Sequence, residues 1–131
     1  MIVVDASAIL ELLLNTDAGQ RVAARIAGPD VTLHAPHLLD LEVAQVLRRY
    51  VFQRAIDAAR GQLALEHLAQ LDIDRYAHDL FLPRIWALRD NVTAYDAAYV
   101  ALAEALDASL VTTDRRLSTA SGINARVELV P

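Results

Sequence analysis

Neither cysteine nor lysine occurs anywhere in this 131-residue chain. Without cysteine there is no disulfide framework and no thiolate metal site. Without lysine, all twelve basic residues are arginine, and every mechanism that needs a lysine is excluded, phospho-aspartate chemistry that relies on one included. No apolar run approaches the roughly 18 residues that a membrane span requires. At the N-terminus Met1-Ile2-Val3-Val4-Asp5 passes straight into structure with no charged, apolar and cleavage regions in succession. A cytoplasmic protein that does not enter a membrane is therefore expected. Also missing are the loops G-x-x-x-x-G-K-[ST], G-x-G-x-x-G and G-x-S-x-G, which removes the phosphate-loop, dinucleotide and serine-hydrolase readings. There is no H-E-x-x-H, and His34 and His37 straddle a strand end and Pro36, so they are expected to face solvent or bond locally rather than hold zinc. Repeats, linkers and low-complexity segments are absent too, leaving one domain over residues 1–131 as the expectation.

Hydrophobic residues make up 55% of the chain, enough to bury a substantial core. The net charge of −5 argues against coating nucleic acid non-specifically, but not against a small site that meets phosphate through metal ions.

Ile2-Val3-Val4 reads as a buried strand ending at Asp5, and Ala6-Ser7 lead into a helix through Leu14. Asp17 to Ala27 is a second amphipathic helix, stopped by Gly28-Pro29, and Val31 to Ala35 a short strand. Pro36 is expected to open a helix running to Val51. Ile56 to Leu71 is a further helix, Leu71 to Ile73 a brief edge strand, and Asp79 to Arg89 a helix whose true start Pro83 places near Leu82. Thr93 with Asp96 resembles a capping box for the next helix, Ser109 to Thr113 is a buried strand delivering Asp114, and the alternating tail Ala125 to Val130 adds a last strand. This alternation predicts an α/β fold, a parallel sheet of four to five strands flanked by helices on both faces.

Four acids fall at telling places. Asp5 follows the first strand, where it can cap a helix or hold a metal. Glu42 lies in an apolar run, where an unpaired carboxylate is costly; a partly exposed position or a bond to Arg49 would satisfy it. Asp96 opens a late helix, and Asp114 ends the following strand, at the edge where open α/β sheets bind ligands. Leu10, Leu12, Leu13 and Leu14 make the first helix apolar around much of its circumference. Either a thick core absorbs them or some form an interface.

Four motifs in order, V-V-D-A-S (Val3 to Ser7), P-x-x-x-x-x-E-V-A-x-V-L-R-R (Pro36 to Arg49), T-A-Y-D-A-A-Y-V-A-L-A-E-A-L (Thr93 to Leu106) and L-V-T-T-D-R-R-L (Leu110 to Leu117), resemble PIN-domain ribonucleases. More narrowly they are similar to VapC toxins of bacterial toxin–antitoxin pairs. The resemblance implies a PIN-like fold, with Asp5, Glu42, Asp96 and Asp114 as catalytic, metal-holding acids and Ser7 and Thr112 as accompanying polar residues. Gln45 departs from it, because relatives often carry Asn there. RNA as substrate, a homodimer and a small VapB-like antitoxin are further implications. The physics agrees with the grouping. Carboxylates about 5 Å apart repel by about 3 kcal/mol per pair at an effective dielectric near 20, so they hold protons or hard cations. An all-oxygen set suits Mg2+, with Mn2+ as the alternative. Arg89, Arg115 and Arg116 flank these acids in sequence and are expected either to meet RNA phosphates or to pair with local acids. A binding module without catalysis and a PIN-class DNA nuclease are the competing functions.

Overall fold

The computed structural model describes residues Met1–Pro131. Five parallel strands, β1 (Ile2–Val4), β2 (Leu33–Pro36), β3 (Ile73–Tyr76), β4 (Ser109–Thr112) and β5 (Val127–Leu129), form one sheet in the order β3-β2-β1-β4-β5. Consecutive strand residues point to opposite faces, and Ile2, Val3 and Val4 are all at most 3% exposed, so helices cover both faces of β1. Around the sheet lie α1 (Ala6–Leu13), α2 (Asp17–Ile26), α3 (Leu38–Phe52), α4 (Ala58–Gln70), a 3-10 turn (Asp79–Phe81), α5 (Leu82–Ala87), α6 (Ala94–Leu106) and α7 (Arg115–Thr119). No helix is long and apolar enough to cross a membrane.

Helix α6 is the central one. Every residue from Ala97 to Ala103 is buried, and its four alanines in that stretch let the backbone approach β1, β2 and β4 closely. It begins where Thr93 accepts a hydrogen bond from the Asp96 N–H at 3.1 Å, and ends at Asp107 in the left-handed region, φ 50°.

Pro36 closes β2 instead of opening α3. The His37 N–H donates to the Tyr76 carbonyl on β3 at 2.9 Å, so the N–H that Pro36 lacks would point the other way. There β1 has already stopped pairing, at Val3 with His34, and nothing is lost. The edge strand lies at Ile73–Tyr76 rather than Leu71–Ile73; its I-D-R-Y sequence puts Ile73 into the core and charges on the rim, as edge strands require. The five-residue α7 was not expected, being too short to show a helical period.

The leucines of α1 are mostly core. Leu10 and Leu13 are 7% and 6% exposed, and Leu12 and Leu14 pack against the same cluster. The first helix therefore offers no free apolar face through Leu13.

Candidate active site

The strand order reverses about β1, whose neighbours β2 and β4 leave in opposite directions, and this opens a crevice at the C-terminal ends of β1 and β4. Asp5 stands at the end of β1. The register pairs Val4 with Val111, which places Asp5 beside Thr112 although the two are far apart in the chain.

Asp5 is 6% exposed and both its oxygens are engaged. The Ser7 hydroxyl donates to Oδ1 at 2.7 Å, the Ala8 N–H to Oδ1 at 3.0 Å, and the Thr112 hydroxyl to Oδ2. These side chains are themselves held, since the Thr113 N–H donates to Ser7 Oγ and the Asp114 N–H to Thr112 Oγ1, each at 3.0 Å. Burial nevertheless pushes the Asp5 carboxyl above its ordinary value; the three donors pull it down, and the charge of Asp96 adds to the rise.

Glu42 reaches the same crevice from α3. Its Oε1 accepts the Tyr99 hydroxyl at 2.6 Å, so the partner on the apolar face is a tyrosine of α6 and not Arg49. Burial raises its carboxyl, against the pull of Tyr99 and with the charges of Asp96 and Asp5 adding to the rise. Asp96 is raised by burial first and then by the charge of Asp114, with Thr93 and Arg116 opposing. Asp114 caps α7, accepting from the Arg116 N–H at 3.0 Å. Asp5 and Asp114 thus both cap helices while lining the same cleft; the capping role and the site role coincide.

One cleft of about 750 Å3 is lined by Asp5, Ser7, Glu42, Asp96, Tyr99 and Asp114 together with Gln45, Arg49 and Arg116. Thr112 lies behind it, fully buried. Arg89 and Arg116 line an adjoining groove that shares Thr93 and Asp96 with the first; Arg115 lines neither. His34 is buried, with Nε2 against the Thr32 hydroxyl at 2.8 Å and Nδ1 against the Tyr76 hydroxyl at 2.7 Å, so both ring nitrogens are occupied locally.

No three acidic or histidine side chains converge closely enough, as they stand, to enclose an ion. That does not conflict with magnesium, which keeps several waters and takes one or two carboxylates directly. The donor set fits such an ion, because the four acids that line the cleft offer oxygen ligands only, and burial, with added charge from neighbouring acids, raises three of them.

Tyr99 is the site residue that sequence reading missed. It stands three residues after Asp96, hence on the same helix face, but an aromatic in an apolar helix reads as core, and at 1% exposed it is core as well. Burial, and then the bond to Glu42, hold its hydroxyl far above its ordinary pKa, so it remains a donor at every working pH. Tyr99→Phe keeps the packing and removes the donor. Magnesium affinity measured by calorimetry should fall by roughly ten- to a hundredfold with the fold retained; unchanged affinity would show that the bond does not hold Glu42 for an ion.

Comparison with known proteins places this geometry. The PIN domain profile matches residues 2–123. Ribonuclease VapC9 of Mycobacterium tuberculosis is 46% identical over 132 residues, covering 100% of this chain and 99% of its own. Ribonuclease VapC12 of the same organism is 42% identical over 130 residues, covering 99% of each. Among solved structures, VapC20 of M. tuberculosis, described as a toxin that cleaves the sarcin–ricin loop, superposes with a TM-score of 0.72 at 14% identity, covering 100% of both chains. PAE2754 from Pyrobaculum aerophilum gives 0.69 at 24%, covering 96% of this chain and 81% of its own. At those identities the two structures speak for the fold.

Proposed function

The chain belongs to the PIN-domain family, with VapC ribonucleases as full-length relatives, and from that premise we propose that it is a magnesium-dependent endoribonuclease, the toxin of a toxin–antitoxin pair. The observation that carries this reading is the meeting of Asp5, Glu42, Asp96 and Asp114, from four different elements, in one cleft at the point where the strand order reverses. These four acids would hold magnesium, or manganese in its place. The chemistry such a cation supplies is neutralisation of the carboxylates and activation of the attacking water. Ser7 and Thr112 fix Asp5 so that its carboxylate does not swing, Tyr99 does the same for Glu42, and Arg116 presents a guanidinium to the phosphate. Water attacks phosphorus in line with the 3′-oxygen, the P–O3′ bond breaks, and the products carry a 5′-phosphate and a 3′-hydroxyl.

Incubating cellular RNA with the protein in magnesium and in EDTA tests the reading through the fragment ends. Cleavage confined to magnesium with 5′-phosphate ends supports it. RNA intact in both would favour a binding module, and cut DNA with intact RNA a PIN-class DNA nuclease.

For RNA approach the reading relies on Arg89 and Arg116, which line the groove beside Asp96; Arg116 also pairs with a local acid, its Nη2 lying 3.4 Å from Asp114 Oδ2. Arg116→Ala should weaken binding and flatten the slope of log affinity against log salt by about 0.7, the loss of one phosphate contact on a single strand. An unchanged slope would remove Arg116 from the RNA path.

The reading includes a homodimer and a small VapB-like antitoxin. What supports it is apolar surface left uncovered: Phe52 and Leu65 beside a groove of about 390 Å3 between α3 and α4, and Leu80, Leu82 and Trp86 on and before α5. An arginine from the antitoxin tail would suit the four carboxylates, since guanidinium pairs with them bidentately.

A further inference from the structure

Three aromatic side chains are largely exposed, Phe52, Trp86 and Tyr95. Two of them carry an arginine on the ring face: Arg48 lies 4.6 Å from the Phe52 centroid and Arg89 5.0 Å from that of Trp86. Tyr95 is 62% exposed, has no cation over its face, and its hydroxyl has no hydrogen-bond partner in the protein. It also lines the acid cleft. Its place is fixed, for it occupies the first turn of α6 directly before Asp96, on a helix whose next seven residues after Asp96 are buried against the sheet.

The cleft has a direction. Along α3 its wall is the stripe Leu38, Leu41, Glu42, Gln45, Val46 and Arg49, spaced at one helix face over about 16 Å. Leu41 in that stripe is 74% exposed. On the other side of Asp96 the adjoining groove is lined by Arg89, Asp90 and Asn91, with Arg116 shared between the two. A strand crossing the acids would leave a polar groove with two arginines within reach of a phosphate and enter a cleft that offers an open aromatic face and aliphatic carbons.

We propose that Tyr95, with Leu41 on the facing wall, is a nucleobase subsite, on which one unpaired base next to the cut stacks while the acids act on its phosphodiester. This rests on the endoribonuclease reading and deepens it, because a base can reach Tyr95 only when it is out of a duplex. The substrate is therefore RNA that is single-stranded, or flipped out of a loop, at the cut. Stacking is tolerant of base identity, as every base has a π face; Gln45, exposed on the same wall, carries an amide able to read a base edge.

A cycle between protein and RNA tests it. A short synthetic RNA spanning the preferred cut is prepared with an abasic residue at each position in turn, and kcat/KM is measured for wild type, Tyr95→Ala and Tyr95→Phe. At one position next to the cut, base removal should cost wild type about tenfold or more, cost Tyr95→Phe about the same, and cost Tyr95→Ala almost nothing, because the partner is already gone. Alanine is the strongest helix former, so α6 is preserved; circular dichroism and a magnesium titration matching wild type check that. Effects of Tyr95→Ala and base removal that simply multiply at every position would overturn the subsite, as would a Tyr95→Ala protein that cleaves like wild type and has lost only binding to a protein partner. If wild type cleaves no RNA in magnesium, the ribonuclease reading itself fails and the subsite falls with it.

Discussion

Asp96→Asn should lose magnesium-dependent cleavage by at least about a thousandfold, because it withdraws a charged oxygen from the centre of the acid cluster, while the metal-free protein melts a few degrees higher than wild type. The second half follows from the direction of the shift. Asp96 has its carboxyl raised by burial and by Asp114, so between its ordinary and raised values the folded state binds more protons than the unfolded one. Stability contributed by that group is present below the ordinary value and is lost as pH rises through the raised one. At neutral pH the empty site therefore opposes folding, and an amide of the same size removes part of that opposition. The Thr93 cap survives, since it uses the backbone N–H of residue 96. In wild type, magnesium should raise the melting temperature more at pH 8 than at pH 5, where protons compete for the same oxygens; Asp96→Asn should show little of this gain. Asp17→Asn and Asp74→Asn, whose carboxylates line neither cleft, serve as controls with activity unchanged. A fully active Asp96→Asn protein would leave that residue with its capping role alone.

Gly19→Ala should destabilise the fold by about 3 kcal/mol, though alanine is intrinsically the better helix former by about 1 kcal/mol. Gly19 lies in the first turn of α2, and a methyl built there would fall inside the van der Waals envelope of the Glu11 carbonyl on α1. The atoms it meets are backbone, so relief requires one helix to move bodily. The corner is tied further by Thr16, which accepts the Gly19 N–H at 3.0 Å and donates to the Glu11 carboxylate. Urea unfolding with an unchanged slope and a lower midpoint is the expected result. A midpoint at or above that of wild type would mean that α1 and α2 do not approach so closely. Because Leu10 and Glu11 also line the acid cleft, the substitution should loosen that wall before the chain unfolds.

Much of the fold was legible because its signals are local. The run Ile2-Val3-Val4, the Thr93–Asp96 spacing and the run Ser109 to Thr113 each declare their element within a few residues, and the structure has β1, the start of α6 and, over Ser109–Thr112, β4 there. Pro36 misled because its fixed φ suits a helix start as well as a strand end, and only the point at which β1 stops pairing decides between them. Leu71 to Ile73 was misplaced because an edge strand pairs along one side only and tolerates the polar Asp74 and Arg75 that lower its apolar signal. The α1 leucines were open between core and interface, since composition sets how much apolar surface a helix carries and not which neighbours cover it.

By itself the sequence determined the absence of cysteine and lysine and the delivery of Asp5, Asp96 and Asp114 to strand and helix ends, since capping and strand termination act over a few residues of contiguous chain. Tertiary structure alone decided that Glu42 bonds Tyr99 and that Thr112 bonds Asp5. It alone decided that Gly19 is a contact between helices and that Tyr95 faces the cleft unpaired. Helical and strand periods tell which side of an element is apolar, but a 2.6 Å bond between residues 57 positions apart depends on how two elements are set against the same sheet, and burial, the main cause of the raised carboxyls, exists only once those faces have met.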